Sequence, residues 1–107
     1  MPIVTKREAA RRDLVEHFVY LAENSGPDVA EHFLRSAEAS FAELARQPQM
    51  GAPIKLSHPD LAHLRKWRIK EFDNHLVFYE PRRRSGVSIV RVLHAASDWW
   101  NVLGLVD

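Results

Sequence analysis

There is no cysteine among the 107 residues, so disulfides, iron–sulfur clusters and thiolate zinc sites are all excluded. Metal binding through histidine alone has little support. The six histidines, His17, His32, His58, His63, His75 and His94, include no His-x-x-x-His or His-Glu-x-x-His spacing. With four glycines there is no phosphate-cradling loop, and Ser25-Gly26-Pro27 reads as a turn. No Gly-x-Ser-x-Gly elbow supports a hydrolase triad. No stretch approaches the ~20 apolar residues of a membrane span. The N-terminal Met1-Pro2-Ile3-Val4-Thr5-Lys6-Arg7-Glu8 has no apolar run behind its charges, unlike a signal peptide. The expected compartment is the cytoplasm, and no cofactor is expected.

What is present is the balance of an ordinary globule, 46% hydrophobic and 27% charged. The length allows one domain, residues 1–107, with one core. The formal charge of +1 conceals a division. Lys6 to Gln47 carries six basic against eight acidic residues, whereas Ile54 to Ala95 carries nine basic against four acidic. Segregation of this kind points to a polyanion or an acidic partner for the second half.

Ile3-Val4-Thr5 is short and β-branched, the composition of an edge strand. Ala10, Leu14, Phe18, Leu21 and Ala22 recur at helical spacing and predict a helix from Lys6 to about Asn24. Gly26 can take the positive φ that ends it, and Pro27-Asp28 suits the start of the next helix. That second helix, with Ala30, Phe33, Leu34, Ala37, Phe41, Leu44 and Ala45 as its stripe, is predicted to run to about Gln47, where Pro48 stops it. Two long helices and a tight turn form an antiparallel hairpin. Gln49 to Asp60 reads as a connecting loop long enough to carry function.

The remainder reads as β. Leu64 to Phe72 alternates, with Trp67 and Ile69 on one side and Lys66, Arg68 and Lys70 on the other. Asp73-Asn74 is the expected hairpin turn, since both types tolerate positive φ. His75 to Tyr79 is a continuous apolar run, Pro81 to Gly86 a basic loop, and Val87 to Leu93 a third strand. Ser97-Asp98 is expected to cap a short last helix bearing Trp99 and Trp100. The fold class is therefore α+β: a helical hairpin packed on a twisted antiparallel sheet of three to four strands, then a short helix.

A turn at Asp73-Asn74 pairs Arg68 with Tyr79 and Lys70 with Val77. One face then carries Lys66, Arg68, Lys70, His75 and Tyr79, and the other, beneath the helices, Trp67, Ile69, Leu76 and Phe78. Arg91 is assigned to the basic face, because an unpaired guanidinium under the helices would cost several kcal/mol. That assignment puts Val90 and Val92 in the core. Arg68, His75, Tyr79, Arg91 and His94 together hold the residue types of metal-free RNA cleavage: a base, an acid and cations for the phosphorane. The two histidines read more readily as ordinary sheet-edge residues among solvated arginines. Trp99-Trp100 either seals the end of the core or presents a hot spot to a partner.

Several segments, in order, resemble the RelE/ParE superfamily of toxins from bacterial type II toxin–antitoxin pairs. They are Ala10-Arg11-Arg12-Asp13-Leu14; Leu44-Ala45-Arg46-Gln47-Pro48-Gln49-Met50-Gly51; Leu64-Arg65 running into Trp67-Arg68-Ile69; Leu76-Val77-Phe78-Tyr79-Glu80; and Ile89-Val90-Arg91-Val92-Leu93-His94, continuing to Asp98. The resemblance implies a cognate ParD-like antitoxin that wraps and neutralises the chain. RelE-like members cleave mRNA in the ribosome, and ParE-like members poison DNA gyrase. Departures from the nuclease pattern point to the ParE side. His75 stands where an arginine precedes Leu-Val-Tyr, Ser97 replaces the arginine before Asp98, and no catalytic tyrosine or histidine matches Trp99, Trp100 or Asn101. The expectation is thus a gyrase inhibitor without enzymatic activity. A RelE-like mRNA endonuclease, the one alternative that binds nucleic acid directly, and a non-toxic binding module of the same fold stand beside it. The expected partner-binding residues are Arg65, Lys66, Arg68, Lys70, His75, Tyr79, Trp99 and Trp100.

Overall fold

The structure is a computed structural model that describes residues 2–54 and 63–103. The elements follow in the order β1 (Val4–Lys6), α1 (Glu8–Ser25), α2 (Pro27–Arg46), β2 (Ala52–Pro53), β3 (Arg65–Ile69), β4 (Phe72–Pro81), β5 (Val87–His94) and α3 (Trp99–Val102). Gly26, at φ 98°, is the whole connection between the two long helices, and Pro27 occupies the first turn of α2. A side chain at Gly26 would be strained by that φ, while the fixed φ of proline suits a position whose N–H has no helical partner. The helical hairpin therefore forms as the periodicity predicts. The part of the Gln49–Asp60 connection beyond Ile54, with Ser57-His58-Pro59, lies outside the described residues.

The five strands form one sheet in the order β1-β5-β4-β3-β2. Three central strands are antiparallel neighbours, as expected; β1 adds at one edge parallel to β5, and β2 adds two residues at the other. The helical hairpin covers one face. Phe33, Ala37, Phe41 and Leu44 of α2 meet Ile69, Val77, Tyr79, Val87, Ile89 and Val92 in the main core. Phe33 and Phe41 are fully buried, and each contributes on the order of 2–3 kcal/mol by removal from water. A smaller cluster on the opposite face joins Leu64, Leu76, Phe78 and Leu93 to Trp99 and Leu103. No helix among the described residues is long and apolar enough to cross a membrane.

The hairpin register differs from expectation. The turn falls at Lys70-Glu71, where Glu71 takes the positive φ of 69°, and Ile69 pairs with Phe72. Asp73, Asn74 and His75 lie inside β4 as a three-residue bulge between the Ile69–Phe72 and Arg68–Leu76 pairs. An odd number of bulged residues shifts the parity of everything beyond them. Arg65, not Arg68, is therefore opposite Tyr79, and Trp67, not Lys70, is opposite Val77. Leu76 and Phe78 consequently face away from the helices, and Tyr79 faces them. A second shift in β5 leaves Val90 between the Phe78–Arg91 and Tyr79–Ile89 pairs. Val92 is in the main core as assigned, but Ile89 joins it there and Val90 packs against the smaller cluster.

Candidate functional site

The residues expected on one basic face occupy three separate environments. Lys66, Arg68 and Lys70 remain together on the outer flank of the sheet, with Arg68 and Lys70 exposed. Lys66 Nζ lies 5.1 Å from the centre of the Trp99 ring, and Trp99 in turn packs 5.2 Å from Phe78. A cation over an indole face is held by the ring quadrupole. Arg65 points elsewhere: its guanidinium donates to Gln49 O at 3.1 Å and to Gly51 O. It fastens the segment that follows α2 to the sheet.

Tyr79 is fully buried beneath the helices. Its hydroxyl donates to Pro48 O at 2.8 Å and accepts from the Gly51 N–H at 2.8 Å. Burial pushes its pKa up, opposed by the Gly51 hydrogen bond and by Arg65. A phenol with both hydrogen-bonding functions taken by backbone, and no access to solvent, is a structural strut. Gly51 is required there, since a Cβ would stand 2.5 Å from the Tyr79 hydroxyl and 2.8 Å from Lys66 O.

Arg91 is not on a free basic face. It grips Asp13 of α1 through two hydrogen bonds, Nε at 2.7 Å and Nη2 at 2.8 Å, and Val92 N–H donates to the same carboxylate at 3.0 Å. The bond from Asp13 raises the Arg91 pKa further. A guanidinium near the helices does need a partner, and Asp13 supplies it. Asp13 was readable as an oddity, a carboxylate between Ala10 and Leu14 on the apolar stripe of α1 and only 5% exposed.

His75 and His94 are register partners on β4 and β5, with ring centres 5.3 Å apart. His75 is 8% exposed, wedged against Phe33, Phe72 and His17, and its Nδ1 is buried without a hydrogen-bond partner among the described residues. Burial, reinforced by His17 and His94, lowers its pKa to about 4. His94 Nδ1 accepts the Ala96 N–H at 3.0 Å. The His17 Nε2–H donates to Val92 O over 2.8 Å, so α1 supplies both Asp13 and His17 to β5.

Arg68, His75, Tyr79, Arg91 and His94 thus do not converge on one point. What does converge is a groove of about 830 Å³ that curls around the outer edge of β3. Trp67, Ile69, Met50, Leu76 and Trp99 give it an apolar floor, and Lys66, Arg68 and Lys70 a basic rim; Glu43 and Asp73 also reach it. β2 pairs only with Arg65 and Lys66. Among the described residues, therefore, the β3 edge from Trp67 to Ile69 has no strand beside it. Lys70 N–H is satisfied by Ser40 Oγ at 3.1 Å. Met50, Leu76 and Ala95 of this groove were not among the expected site residues, because a shifted register and a folded-back connection bring them there. At the sheet's end, α3 forms as expected, with Asp98 at its N-cap position but no side-chain cap bond. Trp100 is 45% and Val102 48% exposed.

A family model described as the ParE toxin of the type II toxin–antitoxin system, parDE, matches residues 4–99. A solved structure from the chromosomal ParDE toxin–antitoxin system of P. aeruginosa superposes with a TM-score of 0.70. It is 14% identical and the match covers 88% of this chain and 96% of that one, a likeness of fold. No curated protein matches the sequence.

Proposed function

The chain belongs to the ParE toxin family of type II toxin–antitoxin systems, and from that premise we propose that it inhibits DNA gyrase and is silenced by an acidic, amphipathic segment of a ParD-like antitoxin seated in the β3 groove. The observation that carries the antitoxin half is the groove itself, where three lysine and arginine side chains border Trp67, Leu76 and Trp99. An apolar floor with a cationic rim suits a segment that alternates apolar and acidic residues, and the open β3 edge offers backbone groups to an extended chain. The rim charges would speed encounter and set register, while the buried aromatics supply affinity.

The target half draws support from what is unavailable for RNA chemistry. Metal-free cleavage needs a base, an acid and cations around one phosphate. Here Tyr79 is locked under the helices, Arg91 is neutralised by Asp13, and His75 is buried and neutral at physiological pH. Inhibition by docking needs none of them. Trp100 and Val102, solvated at the C-terminal turn, are the apolar side chains we assign to the target contact.

Inducing the chain in a bacterial host should halt growth with filaments and a DNA-damage response while translation continues. Coexpressing the antitoxin should restore growth, and Lys66→Glu/Arg68→Glu should weaken that rescue without reducing toxicity. Immediate translation arrest with cut transcripts, abolished by Arg68→Ala or His75→Ala, would replace this reading with the RelE-like one.

A further inference from the structure

The outer face of α1 is unusual for a solvated helix. Val15 is 62% exposed and Val19 46% exposed, one helical turn apart, and they lie on the side opposite His17, which bonds to β5. At 100° per residue the same face carries Arg12 toward the N-terminus of α1 and Glu23 toward its C-terminus. Both are exposed, and neither forms an ion pair with a described residue. Between Arg12 and Glu23 the stripe is therefore apolar at its centre, positive at one end and negative at the other, with the exposed Glu8 on the same face about one turn beyond Arg12.

That pattern is complementary to itself. A two-fold axis perpendicular to α1 at the level of His17 lays a second α1 antiparallel across the first. Val15 then meets the second copy's Val19, and Arg12 comes within about one residue rise of the second copy's Glu23, on the same side of the crossing. Each contact occurs twice, as an isologous interface demands. We propose that this face is a self-association surface, through which two copies of the chain pair α1 against α1 independently of the groove and of the target. A single helix crossing covers less than the roughly 800 Å² per partner of a standard interface, so the dimer is of the weak, reversible kind.

Sedimentation velocity of the full chain over a concentration series into the upper micromolar range tests this. The average mass should rise toward that of a dimer as concentration increases. Arg12→Glu alone and Glu23→Arg alone each place like charges across the axis and should reduce association at least several-fold. The combined Arg12→Glu/Glu23→Arg chain recreates both pairs in reverse and should recover it. Val15→Ser/Val19→Ser should stay monomeric, with an unchanged circular dichroism spectrum because both positions face solvent. A monomer at every concentration overturns the proposal, as does association indifferent to the two charge reversals. A chain that is monomeric alone, and whose Val15→Ser/Val19→Ser form binds the antitoxin more weakly, would assign the face to the antitoxin instead.

Discussion

Removing the Asp13 carboxylate should be among the most damaging single changes to this domain. Asp13 accepts three hydrogen bonds, two from Arg91 and one from the Val92 N–H on the part of β5 that extends past β1. Asp13→Ala leaves a backbone donor without a partner, at about 1–3 kcal/mol. It also strips a partly buried guanidinium of its counter-charge, a loss of about 3–5 kcal/mol where the cation is fully enclosed. The Arg91 side chain is 26% exposed and can turn partly to water, so the sum should be nearer 3 kcal/mol than the upper limit. A domain of this length is stable by roughly 5–15 kcal/mol, and in urea a 3 kcal/mol loss lowers the midpoint by about 2 M. Equilibrium urea unfolding followed by tryptophan fluorescence reads this directly. Removing both charges together, as Asp13→Leu/Arg91→Leu, should be milder than Asp13→Ala, because no unpaired ion remains. A cost below about 1 kcal/mol for Asp13→Ala would refute the claim that this pair fixes α1 to β5.

Gly51→Ala should destabilise by about 1–3 kcal/mol through overpacking. Tyr79→Phe should not rescue it, since the new Cβ still stands 2.7 Å from Tyr79 Cε1 and 2.8 Å from Lys66 O; urea unfolding of the single and double variants checks both. Acid should weaken the fold through His75. Its folded pKa of about 4 lies below the ordinary 6.5, so as pH falls below 6.5 the unfolded chain takes up a proton that the folded one refuses. Stability is unaffected by this group above pH 7 and falls by about 2 kcal/mol between pH 7 and 5. The difference in unfolding free energy between wild type and His75→Leu should itself shift by about 2 kcal/mol across that range, in the direction of a weaker wild type at pH 5.

The helical hairpin was legible because its signals are local: a 3.6-residue stripe, a glycine able to take φ 98° and a proline that begins α2. The sheet was legible in its strands but not in its faces. Asp73-Asn74 has the composition of a tight turn, yet the chain turns three residues earlier, at Lys70-Glu71, and absorbs Asp73, Asn74 and His75 as a bulge. His75 to Tyr79 is apolar throughout because β4 is covered on both sides, by the helices and by α3 with Leu64. A strand buried on both faces carries no alternation from which to read its parity. The basic triplet Lys66, Arg68 and Lys70 survived because β3 itself alternates. Arg91 and Tyr79 were misplaced because their partners, Asp13 and the Pro48–Gly51 backbone, are distant in sequence.

Titrating the purified chain into DNA gyrase supercoiling a relaxed plasmid, with ribosomes programmed with mRNA in a parallel reaction, separates the two targets. A gyrase inhibitor should abolish supercoiled product as it is added, lose that effect on addition of the antitoxin or through Trp100→Ala, and leave the transcript on the ribosome intact. Undisturbed supercoiling with cleaved transcript would contradict gyrase inhibition.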